Sequence, residues 1–166
     1  MAVVTVKSTL ITNREASPPV QNPVTFEGGR RRSKVATVEV ANGDSIGSRY
    51  KLFSVPSNAR VMAINVYCDA ITSAAADFGI YQTAENGAAV VNANAYGAAQ
   101  SIATALTMLP VNVAFKTRDI ANIAKRVWQD AGLSDDSQRE YYIEATLTAA
   151  ATAAGTLSAE LVYVID

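Results

Sequence analysis

The chain has 166 residues, 49% of them hydrophobic, which fits one domain with its own core and excludes disorder throughout. A formal net charge of -1 excludes a dedicated nucleic-acid binder, which concentrates a basic excess on one face. With no histidine the chain lacks the commonest general base and transition-metal ligand, and with 17% charged residues its surface falls to Ala, Ser, Thr, Asn and Gln, as in a protein that lives inside an assembly.

From Ala2 to Ile11, Val4, Val6 and Ile11 alternate weakly with Thr5, Lys7 and Thr9, the pattern of a short edge strand. Asn13 to Arg32 carries three prolines and two glycines, which argue against regular structure, and only Val20, Val24 and Phe26 offer anchors. Residues 1–33 therefore read as an extended arm that reaches onto a neighbouring subunit and orders when it docks. Beside Gly28-Gly29, the triplet Arg30, Arg31 and Arg32 reads as a solvated hinge or a contact to an acidic surface.

The globular part, residues 34–166, opens with a strand in which Val35, Thr37, Glu39 and Ala41 alternate with Ala36, Val38 and Val40. Asn42-Gly43-Asp44 turns the chain, and Tyr50 to Val55 forms the next strand. Asn42, Asp44 and Ser45 are oxygen donors, but a single carboxylate outside any EF-hand pattern makes a poor calcium site. After Val55-Pro56-Ser57-Asn58, Val61 to Cys68 alternates so that Met62, Ile64, Val66 and Cys68 form a wholly apolar face turned to the core. Asp69 to Ala76 is a loop, and Asp77 to Thr83 restarts the alternation as a strand expected to pair antiparallel with its predecessor.

Glu85-Asn86-Gly87 is a further turn, followed by a short strand over Ala88 to Asn92 and a soft loop over Asn94 to Gln100. Beyond Pro110, Val111, Val113 and Phe115 alternate as a strand. The period then changes: Ile120, Ile123, Ala124, Val127, Trp128 and Ala131 share one face of a helix over 118–131, capped by Thr117 and stopped at Gly132-Leu133. Leu133 to Arg139 is a polar loop in which the Asp135-Asp136 pair is solvated. Tyr141 to Thr148 and Leu157 to Ile165 close the chain as a hairpin, the last strand apolar enough on both faces to lie inside a sheet.

About eight strands with one inserted helix describe an all-β protein, an antiparallel β-sandwich with a jelly roll as the leading topology. No motif supplies a catalytic, cofactor or metal site: Asp44, Asp77, Glu85 and Glu144 include no pair spaced for acid–base work, and Cys68 reads as a small buried hydrophobe. The chain is therefore expected not to be an enzyme and to need no cofactor. No apolar run reaches the length of a membrane span and the N-terminus lacks a signal-peptide pattern, so a soluble, cytosolically made protein is expected.

The run ANGDSIGSRYKLFSVPSNARVMAINVYCDAI, followed by ADFGIYQTAENGAAV and the closing ELVYVID, resembles small virion structural proteins of tailed bacteriophages, similar to head decoration or cement proteins, over residues 34–166. The resemblance implies a capsid-bound protein on the outside of the shell, a homotrimer seated at local symmetry axes that bridges copies of the major capsid protein. It brings no functional residue set. The contact expected from the residues is the arm, through Val20, Val24, Phe26, Arg30, Arg31 and Arg32. Two other readings stay open: a carbohydrate-binding sandwich using Tyr50, Tyr81, Tyr96 and Tyr142, and a tail or head-tail joining protein.

Overall fold

The computed structural model describes residues 6–22, 29–112, 114, 119 and 121–165. Eight strands, β1 (Arg30–Val40), β2 (Arg49–Pro56), β3 (Arg60–Cys68), β4 (Ala75–Gln82), β5 (Val90–Ser101), β6 (Leu106–Asn112), β7 (Glu140–Ala149) and β8 (Gly155–Ile165), follow a short helix α1 (Thr9–Arg14), and a second, α2 (Val127–Asp130), precedes β7. The strands form two four-stranded sheets, β1-β8-β3-β6 and β2-β7-β4-β5.

The order follows from one operation on the chain. Laid out as a long hairpin with its bend between β4 and β5, the chain would pair β4 with β5, β3 with β6, β2 with β7 and β1 with β8, and all four pairs are present. Rolling that hairpin brings β8 beside β3 and β7 beside β4, the two remaining pairs. This is the double-sheet jelly roll, an all-β antiparallel sandwich as the alternation predicted. Two expected pairings are corrected by it. β4 does not pair with β3, and β7 and β8 are not a hairpin, because in both cases the connection crosses from one sheet to the other.

Between the sheets, Val55, Ile64, Val66, Phe78, Ile80, Ile143, Leu147, Leu157 and Leu161 are fully buried, each contributing about 1.5–3 kcal/mol of apolar transfer. The face expected for β3 is corrected at one position: Met62 is 46% exposed and Val61 is buried. Val61 lies opposite Tyr163 and Ala63 opposite Val162, so Met62 is an extra residue, a β-bulge that switches the alternation and leaves Ile64, Val66 and Cys68 inward.

Other expectations change near the ends and in the long connections. Thr9 to Arg14, within and beyond the expected edge strand, turns helical because Ser8 caps it, its carbonyl accepting from Thr12 N at 2.9 Å; residues 1–5 lie outside the described residues. β5 runs on through the expected soft loop, Asn94 to Gln100, with a large bulge: Phe78 lies opposite Gly97 and Ile80 opposite Asn92. Of the helix expected over 118–131, residues 118 and 120, with its cap Thr117, lie outside the described residues, and among the rest only the four residues of α2 are helical. Asp119 Oδ1 accepts from the backbone of Ala121 and Asn122, both at 3.0 Å, competing with helical bonds, and Arg126 is extended. The predicted stop does form: Gly132 sits at φ +78° and Leu133 N reaches Trp128 O at 3.1 Å.

Candidate subunit-contact surface

The strand register gathers basic residues at one end of the sandwich. Arg30 lies opposite Ile165, Arg60 opposite Val164, and Pro56 opposite Glu140, so the start of β1, the end of β8, the β2–β3 turn and the start of β7 share that end. The segment before β7 is tied to it: Val127 N donates to Ala59 O at 2.8 Å, Trp128 N to Ser57 O at 3.0 Å, and Ser57 N to Arg139 O at 2.8 Å. Arg30, Arg31, Arg32, Lys34, Arg60, Arg126 and Arg139 thus collect there. Carboxylates share this end: Asp136 accepts from the Ser57 hydroxyl and Glu140 from that of Ser54, and Glu85 lines a cleft with Arg139 and Glu140.

The other end has the opposite character. The segments 38–48, 68–77, 99–106 and 147–157 contain Glu39, Asp44, Asp69 and Asp77 and not one lysine or arginine. The cations are therefore unevenly placed along the strands, which the formal net charge of -1 does not show.

Of the expected contact residues, Arg30, Arg31 and Arg32 are exposed, but they form the first residues of β1, laddered to Ile165, Val164 and Tyr163. The arm expected to end at residue 33 thus gives way to strand at Arg30. An apolar partner strand with spare ladder groups overrides the glycines and the local charge. Val20 is 54% exposed beside a shallow cleft lined by Arg14, Pro19, Gln21 and Asn22. Val24 and Phe26 lie outside the described residues.

The alternative sites are not assembled. Tyr81 and Tyr96 are 1% and 0% exposed, Tyr50 donates its hydroxyl to Asp44 at 2.6 Å, and Lys51 covers the Tyr142 ring at 5.5 Å, so the four tyrosines offer no common platform for a sugar. Asp44 Oδ2 also accepts from Ala41 N at 2.9 Å, which commits this carboxylate to its turn. These two bonds hold the Asp44 carboxyl below its ordinary value, while burial, then the bond and the charge of Asp44, push the Tyr50 hydroxyl up. Among the described residues no group of three or more acidic or sulfur ligands could hold a metal, and no helix is long and apolar enough to cross a membrane. Cys68 is 4% exposed and burial raises its thiol.

Sequence reasoning missed the polar centre of the β2-β7-β4-β5 sheet. Glu144 is 0% exposed on the face turned away from the core, Arg49 Nε donates to its Oε2 at 2.8 Å, and the Arg49 guanidinium stacks 4.2 Å above the Tyr81 ring. The space over Gly79 is closed by β5, whose Ala93 and Asn92 carbonyl oxygens lie 2.2 and 2.3 Å from where a Cβ on Gly79 would stand.

No family model and no curated protein matches the chain. Solved structures do. A chain of the capsid of Ralstonia phage GP4 matches with a TM-score of 0.57 at 18% identity, covering 88% of this chain and 91% of its own length. A chain of the cyanophage Pam1 capsid asymmetric unit matches with a TM-score of 0.51 at 13% identity, covering 89% and 93%. Over nearly its whole length, this jelly roll has the fold of chains built into phage capsids.

Proposed function

We propose that the chain is a phage virion protein of the decoration, or cement, type, which binds the outer surface of the shell made by the major capsid protein and stabilises the head without catalysis. The observation that carries the reading is the end-to-end likeness to chains of two phage capsids, with no large unmatched part on either side. The surface agrees with it. Only 17% of residues are charged, the cations gather at one end, and at the other Asp44, Asp69 and Asp77 each accept a backbone amide, from Ala41, Thr156 and Ala99. A clamp needs no more than this, because many copies on one shell hold firmly even when each contact is weak. In this reading the segment before β1 and the basic start of β1 meet the shell, and the chain acts as a trimer.

The test uses heads assembled without this protein. Full-length chain is added, and occupancy and resistance of the heads to heat are read together. Binding with a rise in the temperature of DNA release is expected; no binding to heads, with binding to tails or connectors instead, overturns the decoration reading. A chain lacking residues 1–28 keeps all of β1 and is expected to retain its circular dichroism spectrum while losing at least about tenfold in occupancy, the loss of one or two anchoring side chains. Undiminished occupancy removes the arm from the contact.

A further inference from the structure

The free edge of β1 is complementary to itself. Among the described residues β1 pairs only with β8, leaving the other edge of this eleven-residue strand unladdered, and Arg30 to Val35 are exposed. Ala36 and Val38 pack towards the core, so Arg31, Ser33, Val35, Thr37 and Glu39 line the outer face. Val35, 75% exposed, is at the middle of that row. We propose that β1 pairs antiparallel with β1 of a second copy about a twofold axis through Val35, joining two four-stranded sheets into one of eight strands.

Charge selects the register. With Val35 opposite Val35, Arg31 of each copy stands opposite Glu39 of the other and Ser33 opposite Thr37, so every outer-face residue from 31 to 39 meets a compatible partner. Centring the pair on Ser33 instead sets Arg32 against Lys34, and centring it on Lys34 sets two ammonium groups face to face. Charges on an edge strand ordinarily deter pairing; here they deter the wrong registers. The two basic triplets do not collide, because Arg31 of one copy is eight residues along the ladder from Arg31 of the other, about 26 Å, well beyond the Debye length of about 8 Å at physiological salt. Lys34 is drawn inward, its Nζ donating to Ser54 O at 2.6 Å. The contact requires no capsid, so it stands or falls separately from the cement reading. If both hold, it ties neighbouring clamps to each other.

Cysteine cross-linking on the purified full chain tests it, the buried Cys68 staying silent as an internal control. A V35C chain is its own partner and is expected to form disulfide dimers under mild oxidation at least about tenfold faster than a T37C chain, whose partner residue is 33. A mixture of S33C and T37C chains is expected to cross-link to each other faster than either does alone, and the self-link of V35C is what separates a twofold contact from a threefold one, which sets unlike residues opposite each other. Sedimentation at rising concentration gives the second readout: R31E and E39R each weaken self-association about tenfold or more, and the double exchange R31E/E39R restores it, because the pair is rebuilt in reverse. Equal cross-linking of V35C and T37C, or self-association untouched by R31E, overturns the proposal.

Discussion

At the scale of single residues, two polar contacts have measurable consequences. Asp44 is held ionised by the Tyr50 hydroxyl and the Ala41 amide, so its folded pKa lies below the ordinary 3.8. A carboxylate depressed by folding contributes stability that is present above its unfolded value and is lost as pH falls through the folded one. Asp44→Asn is therefore expected to lower the urea midpoint at neutral pH, and the mutant and parent curves are expected to converge towards the acid end. A constant gap across the series would show that the turn, not the charge, is what the side chain supports. The Arg49–Glu144 pair is the second case. Among the described residues Glu144 Oε1 has no hydrogen-bond partner and Arg49 is the one cation paired with this wholly buried carboxylate. Arg49→Met is expected to cost about 3 kcal/mol, whereas Arg49→Met with Glu144→Leu recovers most of it, since removing both charges also removes the desolvation penalty. Denaturant unfolding of the parent, both single variants and the double variant closes this cycle. Neither contact was legible beforehand: Asp44 looked like one donor of a poor calcium site, and Glu144 like a carboxylate with no acid–base partner, because partners separated by 95 positions, as Arg49 and Glu144 are, leave no local signal.

At the scale of elements, sequence alternation located β2, β3, β4, β7 and β8 within a residue or two, because each buries one face and a period of two is the direct imprint of that burial. It failed where the chain leaves the ideal pleat. Met62 is apolar and in phase with Ile64, and nothing local says that a bulge will turn it outwards. The apolar stripe over 118–131 has helical spacing, but Asp119 turns the chain and the β2–β3 turn claims the amides of Val127 and Trp128, so among its described residues only α2 is helical. β5 was hidden by its alanines and asparagines; its strand exists because its bulge wraps over Gly79. That contact yields a prediction. Gly79→Ala places a methyl within the backbone of Ala93 and must push the bulge away, so a loss of about 2–3 kcal/mol is expected, or failure to fold. Thermal unfolding decides it, with Gly43→Ala as the comparison: nothing stands within 4 Å of a Cβ at Gly43, and only its φ of +94° resists the change.

At the scale of the molecule, composition and alternation point to a two-layer β fold, but which strand neighbours which is decided by rolling the chain, and no residue carries a mark for that. The expected hairpin between the last two strands shows the limit: sequence neighbours pair often, yet here each lies in a different sheet. The candidate surface was legible in part. The Arg30 to Arg32 triplet was visible as charge, while its place on an exposed β-edge, with Val35 and Glu39 completing a self-complementary row, required the register with β8.

The position of β8 also bears on how the chain comes into being. Of the eight strands it is synthesised after the other seven, and it lies between β1 and β3, the first and third. One of the two sheets therefore has no interior until Gly155–Ile165 has been synthesised, and every contact of β1 with β8 closes a loop of more than a hundred residues. A nascent chain stopped before Gly155 is expected to stay protease-sensitive throughout, and one extended past Ile165 to become resistant in a single step. On the proposed head-binding role, copies stopped before Gly155 never reach a state able to occupy a binding position, and completion of β8 acts as quality control on the assembly.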